Sequence, residues 1–381
     1  MRIRNAAQCA TLAFLIFTTG WITAQIPSPQ EYPMVPDRAH NGLRGPVKSC
    51  KEETTFPDAA DVRAQSRSEY TTEFDREGRE ISSRILQPDS SVSITRSEYS
   101  PSGQLLKMVS GVEGRKLSTS SYIYDDQGRV QKIVPDSQGE VPGLSQPISF
   151  HYDQHGRKTS TVSSTAADYS PNMASALGPF EALDLPPNLP GGGTSTTTYD
   201  EHDRPTEVEL RDAKGELVMH ATRTYDSQGR VLAEKQFHDS FVPMFPPEEQ
   251  EKILQESGLS SEQLATLLQA ELPKLMGGHT EAYTISYAYD VHGRISHTSR
   301  RIFNRQDEID TSYNEHSDIE SEITRSTEIP ADGSPSPGQP PYSEIRYSYR
   351  YDEHGNWTEK TTTYRSSPDE NFQSLPPSNA P

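Results

Sequence analysis

The chain has 381 residues and a net charge of −19, and only 31% of it is hydrophobic. Leucine, isoleucine, valine and phenylalanine together supply about 18% of the residues, which is on the disordered side of the usual boundary of about 20%. This balance excludes a compact leucine-rich enzyme core; it also argues against nucleic acid and anionic membrane surfaces, which need a basic patch. Beyond the N-terminus no stretch is apolar enough to span a bilayer. Yet the 18 tyrosines recur in a pattern that a disordered chain has no reason to keep.

The first element is a targeting segment. Arg2 and Arg4 form a short basic region, Thr11 to Ile22 an apolar one, and Ile22-Thr23-Ala24 before Gln25 a small-residue cleavage site between Ala24 and Gln25. Residues 1–24 therefore read as a secretory signal peptide, and the expected location is secreted, periplasmic or in the cell envelope. A Pro-rich linker, residues 25–41, follows. Cys9 falls inside the signal and precedes its apolar run, the wrong order for a lipoprotein cysteine. Cys50 is then left alone, without an intramolecular disulfide partner, and is expected to be a small buried strand residue.

Residues 42–365 are organised by a repeat. It opens with Phe74-Asp75-Arg76-Glu77-Gly78-Arg79, and a weaker copy starts at Tyr99. Fuller copies begin at Tyr124, Tyr152, Tyr199, Tyr225 and Tyr289, a decayed one at Tyr313, and Tyr351-Asp352-Glu353-His354-Gly355-Asn356 closes the series. Each position has a physical reason. The aromatic ends a strand, and the Asp carboxylate accepts backbone N–H groups of the turn that it starts. Gly supplies the positive φ of a type I turn with a bulge. Arg begins the return strand, where acidic neighbours across the sheet are its expected partners. Where Gly is missing, Asp203 tolerates left-handed geometry, and Ser317 does so less well. Tyr283, Ile285, Tyr287 and Tyr289 occupy alternate positions, as do Ile345, Tyr347, Tyr349 and Tyr351, so each set shares one face of a strand. A unit near 25 residues holds two strands and two turns, with Asp136–Gly139 and Asp212–Gly215 as turns at the opposite edge. The expected fold is all-β, an elongated, twisted antiparallel meander of about 18 strands.

Three insertions interrupt the spacing. Residues 168–193 and 329–341 are Pro/Gly-rich and read as loops. Residues 244–278 read as a small two-helix insertion: Pro246-Pro247-Glu248-Glu249 starts one helix, Gly258 ends it, and Ser260 with Gln263 forms a capping box for the second. Leu264, Leu267, Leu268, Leu272 and Leu275 make an apolar stripe on that second helix, expected to cover part of the sheet. Residues 366–381 read as a disordered tail.

The Tyr-Asp-x-x-Gly-Arg series resembles the RHS/YD-repeat proteins, secreted or surface proteins of bacteria with relatives among animal adhesion receptors. The resemblance spans roughly Gly42 to Tyr364. It implies a long β-sheet strip, sometimes spiralled into a shell, with roles in toxin encapsulation, adhesion or carbohydrate binding. Large members of that family end in a core segment with paired Asp-Pro motifs and a toxin domain. Here Thr358 to Tyr364 and a Pro-rich tail follow the last repeat, so a short repeat-only member is expected.

No residue set announces catalysis or a cofactor. His155, His202, His292, His316 and His354 share one turn position. In a regular sheet successive motif turns lie about 10 Å apart, too far for a shared metal whose bonds are about 2 Å. Carboxylates are abundant, but nothing places two on a rigid cleft. The aromatic ladder is the candidate ligand surface, with Tyr287, Tyr289, Tyr347, Tyr349, Tyr351 and Trp357 as the residues that would stack on sugar rings, although such pairs also stabilise a leucine-poor sheet. The sequence reads as an exported, non-catalytic module that binds envelope carbohydrate or protein. A toxin-associated shell or accessory protein is the first alternative, and an enzyme with an unrecognised carboxylate site the second. Self-association through an open edge strand fits the same architecture.

Overall fold

The structure, a computed structural model, describes residues 47–54, 68–86, 90–135, 147–163, 179–187, 189, 191–239, 281–302, 305–328 and 341–374, together with 43, 254, 260 and 263. The strands run in chain order as β1 (Ser49–Thr54), β2 (Ser68–Phe74), β3 (Glu80–Leu86), β4 (Val92–Tyr99), β5 (Leu105–Val112), β6 (Ser118–Tyr124) and β7 (Val130–Pro135). They continue as β8 (Ile148–Tyr152), β9 (Lys158–Ser163), β10 (Gly193–Tyr199), β11 (Pro205–Asp212), β12 (Leu217–Tyr225) and β13 (Val231–His238). The last are β14 (Glu281–Tyr289), β15 (Ile295–Ile302), β16 (Arg305–Tyr313), β17 (Ile319–Glu328), β18 (Tyr342–Tyr351), β19 (Trp357–Arg365) and the two-residue β20 (Gln373–Ser374).

Every strand pairs antiparallel with the next, which makes one 20-stranded meander. Among the described residues β1 pairs only with β2 and β20 only with β19, so the sheet is open rather than closed into a barrel. The meander follows from the turn chemistry. At Asp125 the amide donates to the Arg129 carbonyl at 2.9 Å, and the Gly128 amide donates to the Asp125 carbonyl at 2.9 Å. The register then slips between Ile123 and Tyr124, which is the bulge such a turn requires. Gly103 shows why glycine holds this position: its φ is +92°, and a Cβ there would lie 2.9 Å from the Arg79 guanidinium. The opposite-edge turn at Asp212 uses the same bonds, the Gly215 amide reaching the Asp212 carbonyl at 3.0 Å. The matching expectation at Asp136–Gly139 lies outside the described residues.

Asp203 and Ser317 stand at φ of 61° and 68°, where the other turns have glycine. The left-handed conformation costs an L-residue roughly 1–2 kcal/mol, and serine does little to offset it. Ser317→Gly is therefore expected to raise the free energy of unfolding by about 1 kcal/mol; chemical denaturation against the parent chain measures it, and a variant no more stable than the parent would show that the turn carries no such strain.

Alternation along the strands separates an apolar face from a polar one. The apolar face carries two clusters. Val130, Ile133, Ile148 and Phe150 form one, with Tyr122, Tyr124 and Tyr152 packed against it. Val208, Leu210, Val218 and Ala221 form the other, together with Phe180, Leu183 and Leu189.

Those last three residues correct an expectation. The segment 168–193 reads as a loop, yet it contains a helix, α1 (Pro179–Asp184), laid across β10 to β14. Six residues are too few to display a helical period, and a helix this short is stable only because Phe180 and Leu183 are buried beneath it. The expected two-helix insertion, residues 244–278, falls almost wholly outside the described residues. Its capping box is present, with the Gln263 amide on Ser260 Oγ at 3.2 Å and the Ser260 amide on Gln263 Oε1 at 2.9 Å.

The tail also departs from expectation, because residues 366–374 fold back on β19. The guanidinium groups of Arg346 and Arg365 lie 4.3 and 4.8 Å from the centre of the Phe372 ring, and β20 pairs with Thr363 and Tyr364. The signal and linker, residues 1–41, lie outside the described residues. Cys50 sits half-buried on β1, and burial first, then the Glu52 charge, push its thiol up.

Candidate functional site

The repeat builds a ladder along one edge of the sheet. In the full copies the Asp carboxylate accepts the backbone amide of its own Arg at 2.9–3.0 Å and the Arg Nε at 2.6–2.8 Å. The arginine thus pairs within its own turn. Among the described residues, the expected pairing with an acidic neighbour across the sheet is added only where Arg157 reaches Asp203 at 2.7 Å. Each guanidinium then lies over the tyrosine of the following copy, 4.3–4.9 Å from the ring centre: Arg79 over Tyr99, Arg129 over Tyr152, Arg157 over Tyr199, Arg204 over Tyr225, Arg230 over Tyr289 and Arg294 over Tyr313.

Each of these tyrosines, and Tyr124, donates its hydroxyl to a backbone carbonyl at the start of the return strand of an earlier copy, at 2.6–3.1 Å. Carboxylate, guanidinium, ring and hydroxyl therefore hold one another from turn to turn. The electrostatics agree, since the Arg204 guanidinium, supported by the Arg204 and His202 amides and opposed by desolvation, holds the Asp200 carboxyl down at about 2. In the decayed copy Asn314 does the work of the Asp, its Oδ1 accepting the amides of His316 and Asp318 at 2.9 and 3.0 Å.

A second assembly lies beneath α1. Arg223 on β12 is 1% exposed at its side chain and faces Glu234 on β13, directly opposite in register. Arg223 Nη2 and Nε contact Glu234 Oε1 at 2.8 and 2.9 Å. Glu181 of α1 closes on the same guanidinium, whose flat side rests on the Phe180 ring at 4.1 Å. The Phe180 amide donates to Glu234 Oε2 at 3.3 Å. Two carboxylates thus share one buried cation. Burial opposes the Arg223 charge, and Glu181 and Glu234 more than restore it. Burial, then the Glu181 charge, push the Glu234 carboxyl up to about 7 against the pull of Arg223. Burial, followed by Glu234 and Glu181, likewise drives the Tyr287 phenol upward.

A carboxyl raised in the fold stabilises it below its unfolded value, here 4.5, and that contribution fades as pH climbs through about 7. Unfolding free energy is therefore expected to decline between pH 4.5 and about 7 by more in the parent chain than in Glu234→Gln, as measured by denaturation across that range. Parallel profiles would show that Glu234 does not titrate there.

The six aromatic residues of the candidate ligand surface are spread out. Tyr287 is buried, and Tyr289 belongs to the ladder, its hydroxyl on the Val231 carbonyl at 2.6 Å. Tyr347, Tyr349, Tyr351 and Trp357 come together in the last hairpin, where all four are half-buried and Tyr351 faces Trp357 in register. There the Tyr347 hydroxyl donates to Glu322 at 2.8 Å, that of Tyr349 to the Ile319 carbonyl at 2.8 Å, and that of Tyr351 to Asp318 at 2.7 Å. Lys360 lies 4.4 Å over the Tyr347 ring, and His316 stacks on Tyr351 at 4.0 Å. The turn histidines bond through their backbones, as when the His155 amide donates to Asp153 at 2.8 Å.

Sequence reasoning passed over Arg223, Glu234 and Glu181. Parity held a clue: Arg223 alternates with Ala221 and Tyr225, so a charge stands on the apolar face. Its partner from α1 left no such trace.

No family model matches the chain, and no curated protein matches it. Among solved structures it is similar to the Photorhabdus luminescens Tc holotoxin pore, at 10% identity and a TM-score of 0.33 over 81% of this chain. It is also similar to the TcdB2–TccC3–Cdc42 complex, at 11% identity and 0.34 over 83%. The chain spans 15% of the length of each of these. A third likeness, to a porin-like protein from Bacteroides uniformis, has 10% identity and a TM-score of 0.29 over 80% of this chain and 97% of that one. No helix among the described residues is long and apolar enough to cross a membrane.

Proposed function

We propose that this chain is a non-catalytic β-scaffold, a stiff strip whose role is to line or support a larger assembly, with a toxin-associated shell or accessory protein as its biological form. The observation that carries this reading is the ladder. From Tyr99 to Tyr313 the recurring polar side chains of the repeat are engaged with one another and with the backbone, which stiffens the strip. The Arg223–Glu234–Glu181 cluster is a buried set of ionisable groups on the apolar face. It lies closed under α1, an arrangement that suits a structural staple.

Both ends of the strip fit the same role. β1 carries Lys51, Glu52 and Glu53, charges that discourage indiscriminate strand pairing, while on the outer edge of β19 the short β20 pairs, among the described residues, with Thr363 and Tyr364 alone. Export through residues 1–24 belongs to the proposal.

The test is co-expression of the exported chain with the polypeptide encoded beside it, followed by limited proteolysis of the purified material. Co-purification, with the partner protected from the protease and released when the scaffold is unfolded, is the expected result. A chain that purifies alone and leaves the co-expressed polypeptide exposed would overturn the scaffold reading.

A further inference from the structure

The first strand carries a pattern on its outer edge that the scaffold role does not use. Among the described residues only β2 lies beside β1, so the other edge of that strand is open. The Phe74 amide donates to the Lys48 carbonyl at 2.8 Å, in step with Cys50 opposite Thr72. The backbone groups of Lys48, Cys50 and Glu52 therefore point at β2, and those of Ser49, Lys51 and Glu53 point outward. Side chains alternate between the faces, and Lys48, Cys50 and Glu52 share the one occupied by Tyr70 and Thr72. Exposed Lys48 and exposed Glu52 thus flank the half-buried Cys50.

That order is self-complementary. When two copies of a strand pair antiparallel about a two-fold axis normal to the sheet, opposed residues lie on the same face. An axis at Cys50 sets Lys48 of each copy opposite Glu52 of the other, with no like charges face to face. An axis at Lys51, Glu52 or Glu53 opposes like charges, and one at Ser49 pairs none. Lys51 is engaged by Glu69 at 2.9 Å on the other face, so the Lys48–Glu52 pairs decide the register. The outward groups of Ser49 and Lys51 then meet, and each such pair exchanges two backbone hydrogen bonds. The two Cys50 residues meet as a non-hydrogen-bonded pair, about 4.5 Å apart at Cα. Disulfides span about 4.4–6.8 Å between Cα atoms.

We infer that the outer edge of β1 docks on β1 of a second copy of this chain, antiparallel, with Lys48 of each copy on Glu52 of the other. The contact closes on itself, because a two-fold pairing uses both β1 edges and β20 lies on the outer edge of β19 at the far end. It is independent of the scaffold reading, which concerns a different polypeptide, so either can fail alone. Cys50 reports the register. Transfer of two electrons and two protons from the paired thiols to oxidised glutathione forms one S–S bond between the copies and two molecules of reduced glutathione.

The experiment is sedimentation equilibrium of the purified exported chain in reducing buffer, where a reversible dimer is expected. Lys48→Glu and Glu52→Lys should each weaken it about tenfold or more. Both residues are exposed, so the circular dichroism spectrum of each variant should match that of the parent. Combining the two reversals restores the opposite-charge pairs and should return the parental affinity. Burial raises the Cys50 thiol, so a second arm adds oxidised glutathione at about pH 8.5, where more of it is thiolate. There the copies should be joined through Cys50, seen as a dimer on non-reducing electrophoresis and lost in Cys50→Ser. A monomer in reducing buffer would overturn the inference. So would a dimer indifferent to either single reversal, a double variant as weak as the singles, or a dimer whose Cys50 thiols stay free after oxidation.

Discussion

Replacing Arg223 by methionine is expected to destabilise the fold by about 3–5 kcal/mol, the cost of leaving buried carboxylates without their cation. Methionine keeps most of the volume and all of the apolar stem, so the loss reports charge rather than packing. Glu234 is 2% exposed and receives both Arg223 contacts, and Glu181 is held by the same group. Denaturant midpoints at pH 8, where Glu234 is mainly ionised, measure the effect. The reversal is the sharper result. In Arg223→Met/Glu234→Leu the uncompensated charge opposite position 223 is gone, and most of the lost stability should return, because a buried ion pair replaced as a whole by apolar residues is often neutral or better. A double variant as unstable as the single one would mean that the pair itself contributes, beyond the penalty of breaking it.

The second large effect concerns Phe180. Its ring is 2% exposed, packs with Leu183, Leu189, Val208 and Val218, and forms the floor under the Arg223 guanidinium. Phe180→Ala removes a buried aromatic from a site whose walls are strands held in register, so little collapse can fill the gap. The expected loss is about 3–5 kcal/mol. It should also be local: hydrogen exchange should lose protection in α1 and in β10 to β14, which α1 covers, while the turns of β2 to β5 keep theirs. Unchanged protection in α1 would show that the helix docks without its phenylalanine anchor. Uniform loss across the whole sheet would show that the meander unfolds as one cooperative unit.

These two residues mark where reading the sequence stops. The turns are local. An Asp that accepts amides two and four residues ahead, a glycine at positive φ and an arginine returning to the same Asp all lie within six residues, so the chemistry is visible in the letters. Even Asp203 and Ser317 could be placed at their left-handed positions. Tyrosine alternation located the strands because period two is a property of the strand itself. The helix in residues 179–184 has no comparable mark, and its segment looked like a loop. The arginines were placed at the start of the return strands, but their stacking on the next copy's tyrosine depends on how neighbouring turns approach one another.

The antiparallel meander, its one-edge series of turns and the alternation of its two faces are legible in the amino-acid order, because each depends on contacts a few residues apart that repeat along the chain. Which charges meet is set by the folded chain. Phe180 and Glu234 are 54 residues apart, and Glu181 and Arg223 are 42 apart. Lys235 and Glu281 are separated by 46. No periodicity links such positions. They are brought together by the register of consecutive strands and by an inserted segment that finds its place only once an apolar face exists to cover, which is why the buried staple appears in the fold and not in the repeat.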